Sequence, residues 1–144
     1  MDPVVTPGVR IMDWNENRQR HGATSPVFVF GPTEDVSRTV WLQFKYEPGW
    51  VAPIHAHSGW TATIILEGSF FAGGVEYFPG SIIQVEPNVD YGPFETGPDG
   101  VTCLELFENQ AALPPIWDES DPDVIAVMER LGPEALSIWN NKIV

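Results

Sequence analysis

The sequence predicts an all-β fold, a small barrel or sandwich, followed by short helices near the C-terminus. Its apolar runs are short and evenly spaced, and we count about eight to ten of them, a pattern typical of antiparallel sandwiches and barrels. Gly and Pro are frequent, with 13 and 14 residues, and many of them separate these runs. In the run from Val40 to Tyr46, side chains alternate between Val, Leu, Phe and Tyr on one face and Trp, Gln and Lys on the other.

The strands follow in chain order from this alternation and from the turn residues between them. The expected strands cover residues 27–30, 36–46, 61–67, 75–78, 81–85 and 101–107. Gly68-Ser69 is predicted to form a tight hairpin, and Gly73-Gly74 a two-residue turn, because such turns need positive φ. Residues 97–100, which contain two Gly and one Pro, are predicted to form a loop.

The pattern becomes helical in the last quarter of the chain. Asp121-Pro122-Asp123 combines an N-cap, Pro at the first helical position and an acidic first turn. Apolar residues follow at helical spacing, and Gly132 is expected to end the helix. A second short helix is predicted from Pro133 to Trp139. The expected organisation is therefore an N-terminal arm (residues 1–24), a barrel (25–110), and a C-terminal linker with helices packed on the barrel (111–144).

The composition excludes several classes of function. The formal net charge of −13 argues against binding to nucleic acid or to an anionic membrane surface, since both need Lys and Arg. Cys103 is the only cysteine, so no intramolecular disulfide is possible. We find no signal peptide and no apolar segment of about 20 residues that could span a membrane. A cytoplasmic location is the resulting expectation.

Two of the three histidines stand close together in the middle of the chain. His55 and His57 are two residues apart, so on a strand their imidazoles would point to the same side. Neutral imidazole binds Zn, Fe, Cu and Ni well, and two convergent rings could hold a metal ion. The third histidine, His21, lies in the predicted arm and is expected to be a surface residue.

This stretch resembles the first motif of the cupin family, G-x5-H-x-H-x3,4-E-x6-G. Gly49, His55, His57 and Gly68 match it at the family spacing, whereas Thr61 occupies the position of the metal-binding Glu. A degraded second motif begins at Gly80, and there Tyr91 occupies the position of the third histidine. The similarity covers residues 36–108.

The resemblance implies a single cupin-type β-barrel, or jelly roll, and a homodimer. It also implies a divalent transition metal (Fe, Zn, Ni, Mn or Cu), with His55, His57 and Tyr91 as ligands. These three residues are also the candidate catalytic residues. Tyr91 would act either as a phenolate ligand or as a phenol that exchanges a proton. The function implied is a small metal-binding enzyme, most often a dioxygenase-like oxidoreductase, whose substrate is a small aromatic or oxygenated metabolite.

Two other functions stay open because the family carboxylate and third histidine are missing. One is a metal-independent isomerase, cyclase or lyase that uses Tyr91 and a histidine as acid and base. The other is a non-catalytic ligand-binding cupin. The candidate pocket residues are Trp60, Thr61, Gln43 and Glu105. Glu105 shares a strand face with Cys103 and Phe107, and the alternation does not show which faces point inward.

Overall fold

The computed structural model describes residues 27–29, 37 and 39–130. The predicted N-terminal arm, with His21, lies outside the described residues. The same holds for the predicted end of the first helix at Gly132 and for the second helix.

Within the described residues, seven strands form one antiparallel sheet, which confirms the all-β prediction. They are β1 (Val27–Val29), β2 (Val40–Tyr46), β3 (Val51–Ala52), β4 (Thr61–Ala72), β5 (Val75–Tyr77), β6 (Ile82–Val85) and β7 (Phe94–Phe107). A short 3₁₀ turn, Gln110–Ala112, follows β7. Each strand contains β-branched or aromatic residues, which favour the extended conformation.

The two longest strands, β4 and β7, pair with each other along most of their length and organise the barrel. Strands β2 and β3 flank β7 on its other edge, and β1 pairs with β2. Strands β6 and β5 flank β4 in the same way. An isolated bridge between His55 and Tyr91 then joins the segment after β3 to the segment before β7.

The register defines which side chains point into the barrel. Thr63 of β4 lies opposite Glu105 of β7, and Glu105 lies opposite Leu42 of β2. Residues paired across neighbouring strands share a face, so the alternate positions of all three strands face the same side. Two clusters of buried residues occupy this side: Val40, Leu42, Phe107 and Leu113, and then Ile65, Phe70, Val101 and Cys103. The faces predicted for β2 are therefore confirmed.

Two predicted turns are strands instead. Strand β4 continues through Gly68-Ser69, and β7 continues through residues 97–100. Register shifts occur next to Gly68, whose φ is +72°, and Gly100 has a φ of +74°. A Cβ placed on Gly68 would lie 2.0 Å from the Gly100 carbonyl oxygen. These glycines therefore permit close approach of two irregular strands, a use of Gly within sheets that local sequence does not distinguish from a turn.

The predicted turn at Gly73-Gly74 is confirmed, and so is the start of the first helix, α1. Helix α1 begins at residue 122 and is described as far as residue 130. Asp121 caps it, since its Oδ1 accepts a hydrogen bond from the Asp123 N–H at 2.9 Å. Val124 and Val127 are buried, and Arg130 donates to Glu47 at 2.9 Å. Helix α1 thus packs against the turn between β2 and β3.

In the part of the chain that the structure describes, no helix has the length and apolar character needed to cross a membrane.

Candidate functional site

Backbone hydrogen bonds hold the two histidines from both sides. The His55 N–H donates to the Tyr91 carbonyl at 3.1 Å, and the Tyr91 N–H donates back at 2.9 Å. Ala56, between the histidines, makes the equivalent pair of bonds with Ile116, at 2.9 and 2.8 Å. The imidazole rings consequently lie side by side, with centroids 5.1 Å apart and planes 85° apart.

The same ring nitrogen is occupied in both histidines. Nδ1 of His55 lies 2.7 Å from the Pro53 carbonyl oxygen, and Nδ1 of His57 lies 2.7 Å from the Ala112 carbonyl oxygen. A carbonyl oxygen can only accept, so each Nδ1 must carry the hydrogen and donate it. Both Nε2 atoms are therefore lone-pair acceptors. Histidines that bind metals are oriented in this way, through a hydrogen bond from the second ring nitrogen.

Both imidazoles favour the neutral form. Burial, followed by the proximity of His55, lowers the pKa of His57 to about 4. Burial also lowers the pKa of His55, against weaker opposing effects of the Pro53 carbonyl and Asp90. At neutral pH both rings are consequently available as metal ligands or as proton acceptors.

The carbonyl that orients His57 comes from the 3₁₀ turn after β7. Asn109 caps this turn, since its Oδ1 accepts from the Ala112 N–H at 3.0 Å. The turn packs against Gly59, where an added Cβ would lie 3.0 Å from the Ala112 Cβ. The Ala112 carbonyl, which orients His57, therefore lies in a segment that the sequence predicted only as a linker.

Tyr91 lies beside the histidine pair. Its ring centroid is 4.4 Å from that of His55 and 6.3 Å from that of His57. Burial, followed by the charge of Glu105, raises the pKa of Tyr91 well above its usual value. The neighbouring Thr61 hydroxyl favours the ionised form and opposes this rise. The hydroxyl is therefore protonated at neutral pH and can donate a proton or a hydrogen bond.

Thr61, at the family position of the carboxylate, points into the barrel at the start of β4. Its side chain is buried, and its Oγ1 has no hydrogen-bond partner of good geometry in the structure. A buried hydroxyl without a partner is costly, so Oγ1 is available to a bound molecule.

Glu105 is the carboxylate that the structure places inside the barrel. Burial raises its pKa to about 7, and the Cys103 thiol, 3.9 Å from Oε1, lowers it slightly. Burial is the largest cause of the raised pKa values of Glu105 and Tyr46. Both side chains are nevertheless only half-buried. Each side chain therefore keeps part of its surface accessible on the inward face of its strand.

Aromatic rings pack against one another around these residues. Tyr46 stacks between Phe44 and Trp50, at centroid distances of 5.5 and 5.3 Å. Phe94 contacts Phe70 at 5.7 Å and Tyr91 at 5.6 Å. The edge of His57 meets Phe107 at 5.1 Å. The surroundings of the polar residues His55, His57, Tyr91, Thr61 and Glu105 are thus mostly aromatic.

Of the other two candidate pocket residues, Gln43 faces away from the site and Trp60 is untested. Gln43 lies opposite Leu104, on the outer face of the sheet, so the structure does not bring it to the site. The alternation had placed it on the face of Trp41 and Lys45, which proves to be the outer one. Trp60 precedes β4 by one residue, and its carbonyl accepts a hydrogen bond from the Glu108 N–H at 3.0 Å. Its place in the pocket stays a prediction.

Sequence reasoning missed Tyr46 and the Ala112 carbonyl. The alternation of β2 could have indicated Tyr46, since it shares a face with Val40 and Leu42. No sequence signal marks the Ala112 carbonyl, because every residue carries one.

The donor set fits a metal ion through the two imidazoles. Two rings bound to one tetrahedral ion, with nitrogens at about 2.0–2.1 Å, would have centroids about 5 Å apart. The observed separation of 5.1 Å agrees with that value. Among the described residues, no group of three His, Cys, Asp or Glu side chains is placed to hold an ion. Tyr91 offers a further oxygen donor beside the pair.

Two clefts on the surface are separate from this site. Their volumes are about 470 and 290 Å³, and both are lined by Phe71 and Glu95. Neither is lined by His55, His57 or Tyr91.

Comparison with known proteins shows similarity in structure only. The sequence matches no protein-family profile and no curated protein. The polyketide cyclase RemF from Streptomyces resistomycificus superposes with a TM-score of 0.53 and 21% identity, over 78% of this chain and 82% of RemF. A double-stranded β-helix protein from Klebsiella pneumoniae gives 0.50 and 18%, over 76% and 99% of the two chains.

A candidate acetylacetone dioxygenase from Methylibium petroleiphilum gives a TM-score of 0.50 and 13% identity, over 67% of each chain. Two other matched structures are longer, and this chain spans 56% and 54% of them. At identities of 13–21%, these structures support a conclusion about the fold alone. They confirm the cupin-type fold that the motif predicted.

Proposed function

Given that this chain has the cupin fold, we propose that it is an enzyme for a small molecule, with a divalent transition metal held by Nε2 of His55 and His57. One observation carries the proposal: backbone carbonyls hold two neighbouring imidazoles in the same tautomer, with Nδ1 as the donor and Nε2 as the lone-pair acceptor in each ring. Their lowered pKa values keep them neutral, as metal binding requires.

The ion, when bound, would supply a Lewis acid for a substrate oxygen or a site for O2 activation. Its identity, among Fe, Zn, Ni, Mn and Cu, stays open. RemF and the candidate dioxygenase carry names from two reaction classes, cyclisation and oxygenation, that fit the site. We favour a dioxygenase-like oxidoreductase acting on a small aromatic or oxygenated metabolite.

The chain's own residues would bind and orient this substrate. The aromatic lining excludes water and offers ring faces to a flat molecule. The unpartnered Thr61 hydroxyl and the Tyr91 phenol provide hydrogen bonds at the same end as the histidines. Tyr91 is also the proton donor, since its raised pKa keeps the proton on its oxygen until a substrate develops negative charge.

Metal content is the direct test. The protein would be produced without an affinity tag and analysed by mass spectrometry for bound metals. We expect about one ion per chain in the wild type and in the control His21→Ala, and almost none in the double variant His55→Ala/His57→Ala. An unloaded wild type that also fails to bind added Co²⁺ would exclude the proposal.

Tyr91→Phe decides the role of the phenol. If Tyr91 is a proton donor, the variant keeps its metal, and turnover of a substrate, once identified, falls by about 10²–10⁴-fold. If Tyr91 is a ligand, the metal is lost. Metal content therefore separates the two roles before any substrate is known.

A second candidate is a metal-independent isomerase, cyclase or lyase. Tyr91 would be the acid and a neutral histidine the base, and the protonated phenol beside the neutral His55 ring favours this reading. Wild-type protein that binds no metal but retains activity dependent on His55 and Tyr91 would support it. A non-catalytic ligand-binding role would follow if neither residue affected turnover of any substrate.

The remaining expectations about partners and location stay predictions. We propose a homodimer with a small-molecule substrate and no nucleic-acid or membrane partner, in the cytoplasm. The basis is the acidic composition, with a net charge of −13, and the resemblance.

A further inference from the structure

We propose that the barrel interior binds a small organic cation, with Glu105 as the counter-charge. The inference names the substrate class for the site described above, and it rests on the proposed function only for the location of the pocket.

Glu105 is an inward carboxylate without a cationic partner among the described residues. Only two Lys or Arg side chains occur there, Lys45 and Arg130. Lys45 lies on the outer face of β2, opposite Thr102, and is exposed. Arg130 is 2.9 Å from Glu47 and stands over the Trp50 ring at 4.6 Å. Neither cation is therefore placed to neutralise Glu105.

The hydrogen bonding of Glu105 is also poor. The contact that the structure shows for its carboxylate is with the Cys103 thiol at 3.9 Å, and a thiol is a weak donor. Charged carboxylates are costly to bury unless they are paired or well hydrogen-bonded. A bound cation would compensate this cost.

The surroundings favour a cation over a neutral or anionic ligand. Glu105 is half-buried and shares the inward sheet face with Phe44 and Tyr46, whose rings stack, and ring faces attract cations. The net charge of −13 also raises the local concentration of cations around the protein. Among the described residues, Glu105 and the histidine pair do not form a group that could share one metal ion.

The test compares choline with its uncharged carbon analogue, 3,3-dimethylbutan-1-ol, by titration calorimetry on the protein as purified. The variant is Glu105→Gln, and the control is Glu95→Gln, an exposed carboxylate on the same strand. We expect Glu105→Gln to weaken choline binding about tenfold or more while leaving the neutral analogue unchanged. Glu95→Gln should change neither ligand by more than about twofold.

Several results would overturn the inference. One is that Glu105→Gln weakens the binding of choline and of the neutral analogue equally, and another is that it does not weaken choline binding at all. A third is that Glu105→Gln and Glu95→Gln weaken choline binding equally, which would indicate only an effect of the overall surface charge. Failure of the wild type to bind choline at about 10 mM would do the same. Thermal denaturation checks that each variant is folded. The outcome is independent of metal content: loss of metal in the histidine variants tests the proposed function and leaves the cation site untouched.

Discussion

At the scale of single residues, the site depends on groups whose protonation is set by burial. His57 is 6% exposed, and its pKa is about 4 in the folded chain instead of the usual 6.5. Tyr91 is shifted in the opposite direction and favours its protonated form, whereas the pKa of Glu105, raised to about 7, leaves this carboxyl group partly ionised at neutral pH. The barrel therefore holds neutral acceptors and protonated donors side by side at neutral pH, as acid–base chemistry requires.

The shift of His57 predicts acid-sensitive stability. The unfolded chain takes up a proton as the pH falls below about 6.5, whereas the folded chain resists it until about pH 4. The free energy of unfolding should therefore fall on acidification, by about 3 kcal/mol from this residue. Urea denaturation in the presence of a chelator would measure it, with His57→Asn and, as control, His21→Asn.

The His57→Asn variant lacks the pH-dependent contribution of His57 to the free energy of unfolding. The stability gap between His21→Asn and His57→Asn should therefore narrow by about 3 kcal/mol between about pH 6.5 and 4. Parallel curves for the two variants would show that His57 is not protected from protonation.

At the scale of elements, the close pairing of β4 and β7 depends on glycine. Gly68 has a φ of +72°, and the Gly100 carbonyl leaves no room for a side chain. Both strands are irregular here. Beyond the irregularity they pair again, with Phe70 opposite Thr96 and Phe71 opposite Glu95. Gly68 also belongs to the sequence motif, so the motif contains a structural requirement as well as the histidines.

This close approach predicts unequal costs for two glycine substitutions. Gly68→Ala should lower the free energy of unfolding by about 3 kcal/mol or more, because positive φ and a backbone clash combine. Gly73→Ala is the control: Gly73 has a φ of +57° but no atom within 4 Å of the added Cβ. Its cost should be about 1 kcal/mol, from the backbone conformation alone. Equal costs in urea denaturation would contradict the role assigned to Gly68.

At the scale of the whole molecule, the exterior of the barrel carries apolar side chains. Leu66, Phe78 and Ile82 are 43, 56 and 67% exposed. Backbone hydrogen bonds between Ile65 and Gly80, and between Ser81 and Phe78, bring their segments together. Exposed apolar patches commonly mark contact surfaces, and the homodimer stays a prediction.

The predicted homodimer can be tested directly by measuring the molecular mass in solution. Light scattering should give about twice the chain mass of 16.0 kDa. Ile82→Glu should reduce that value toward the mass of one chain, whereas Ile125→Glu, at an exposed position on α1, should not. A wild-type mass of 16.0 kDa at all concentrations would contradict the prediction.

The sequence alone determined the fold class, the division of β2 into two faces, the start of α1 and the candidate trio His55, His57 and Tyr91. These properties follow from local periodicity, capping residues and motif spacing, which a linear pattern records directly. The spacing of the motif placed Tyr91 near the histidines without showing how the chain brings them together.

Only the tertiary structure decided the rest. It showed that Glu105 points inward and Gln43 outward, that Gly68 serves close packing rather than a turn, and that Ala112 orients His57. Alternation distinguishes two faces but cannot tell which one is enclosed, because enclosure depends on strands distant in sequence. A backbone carbonyl has no signature of its own, so its role appears only when the chain has folded around the ring that it orients.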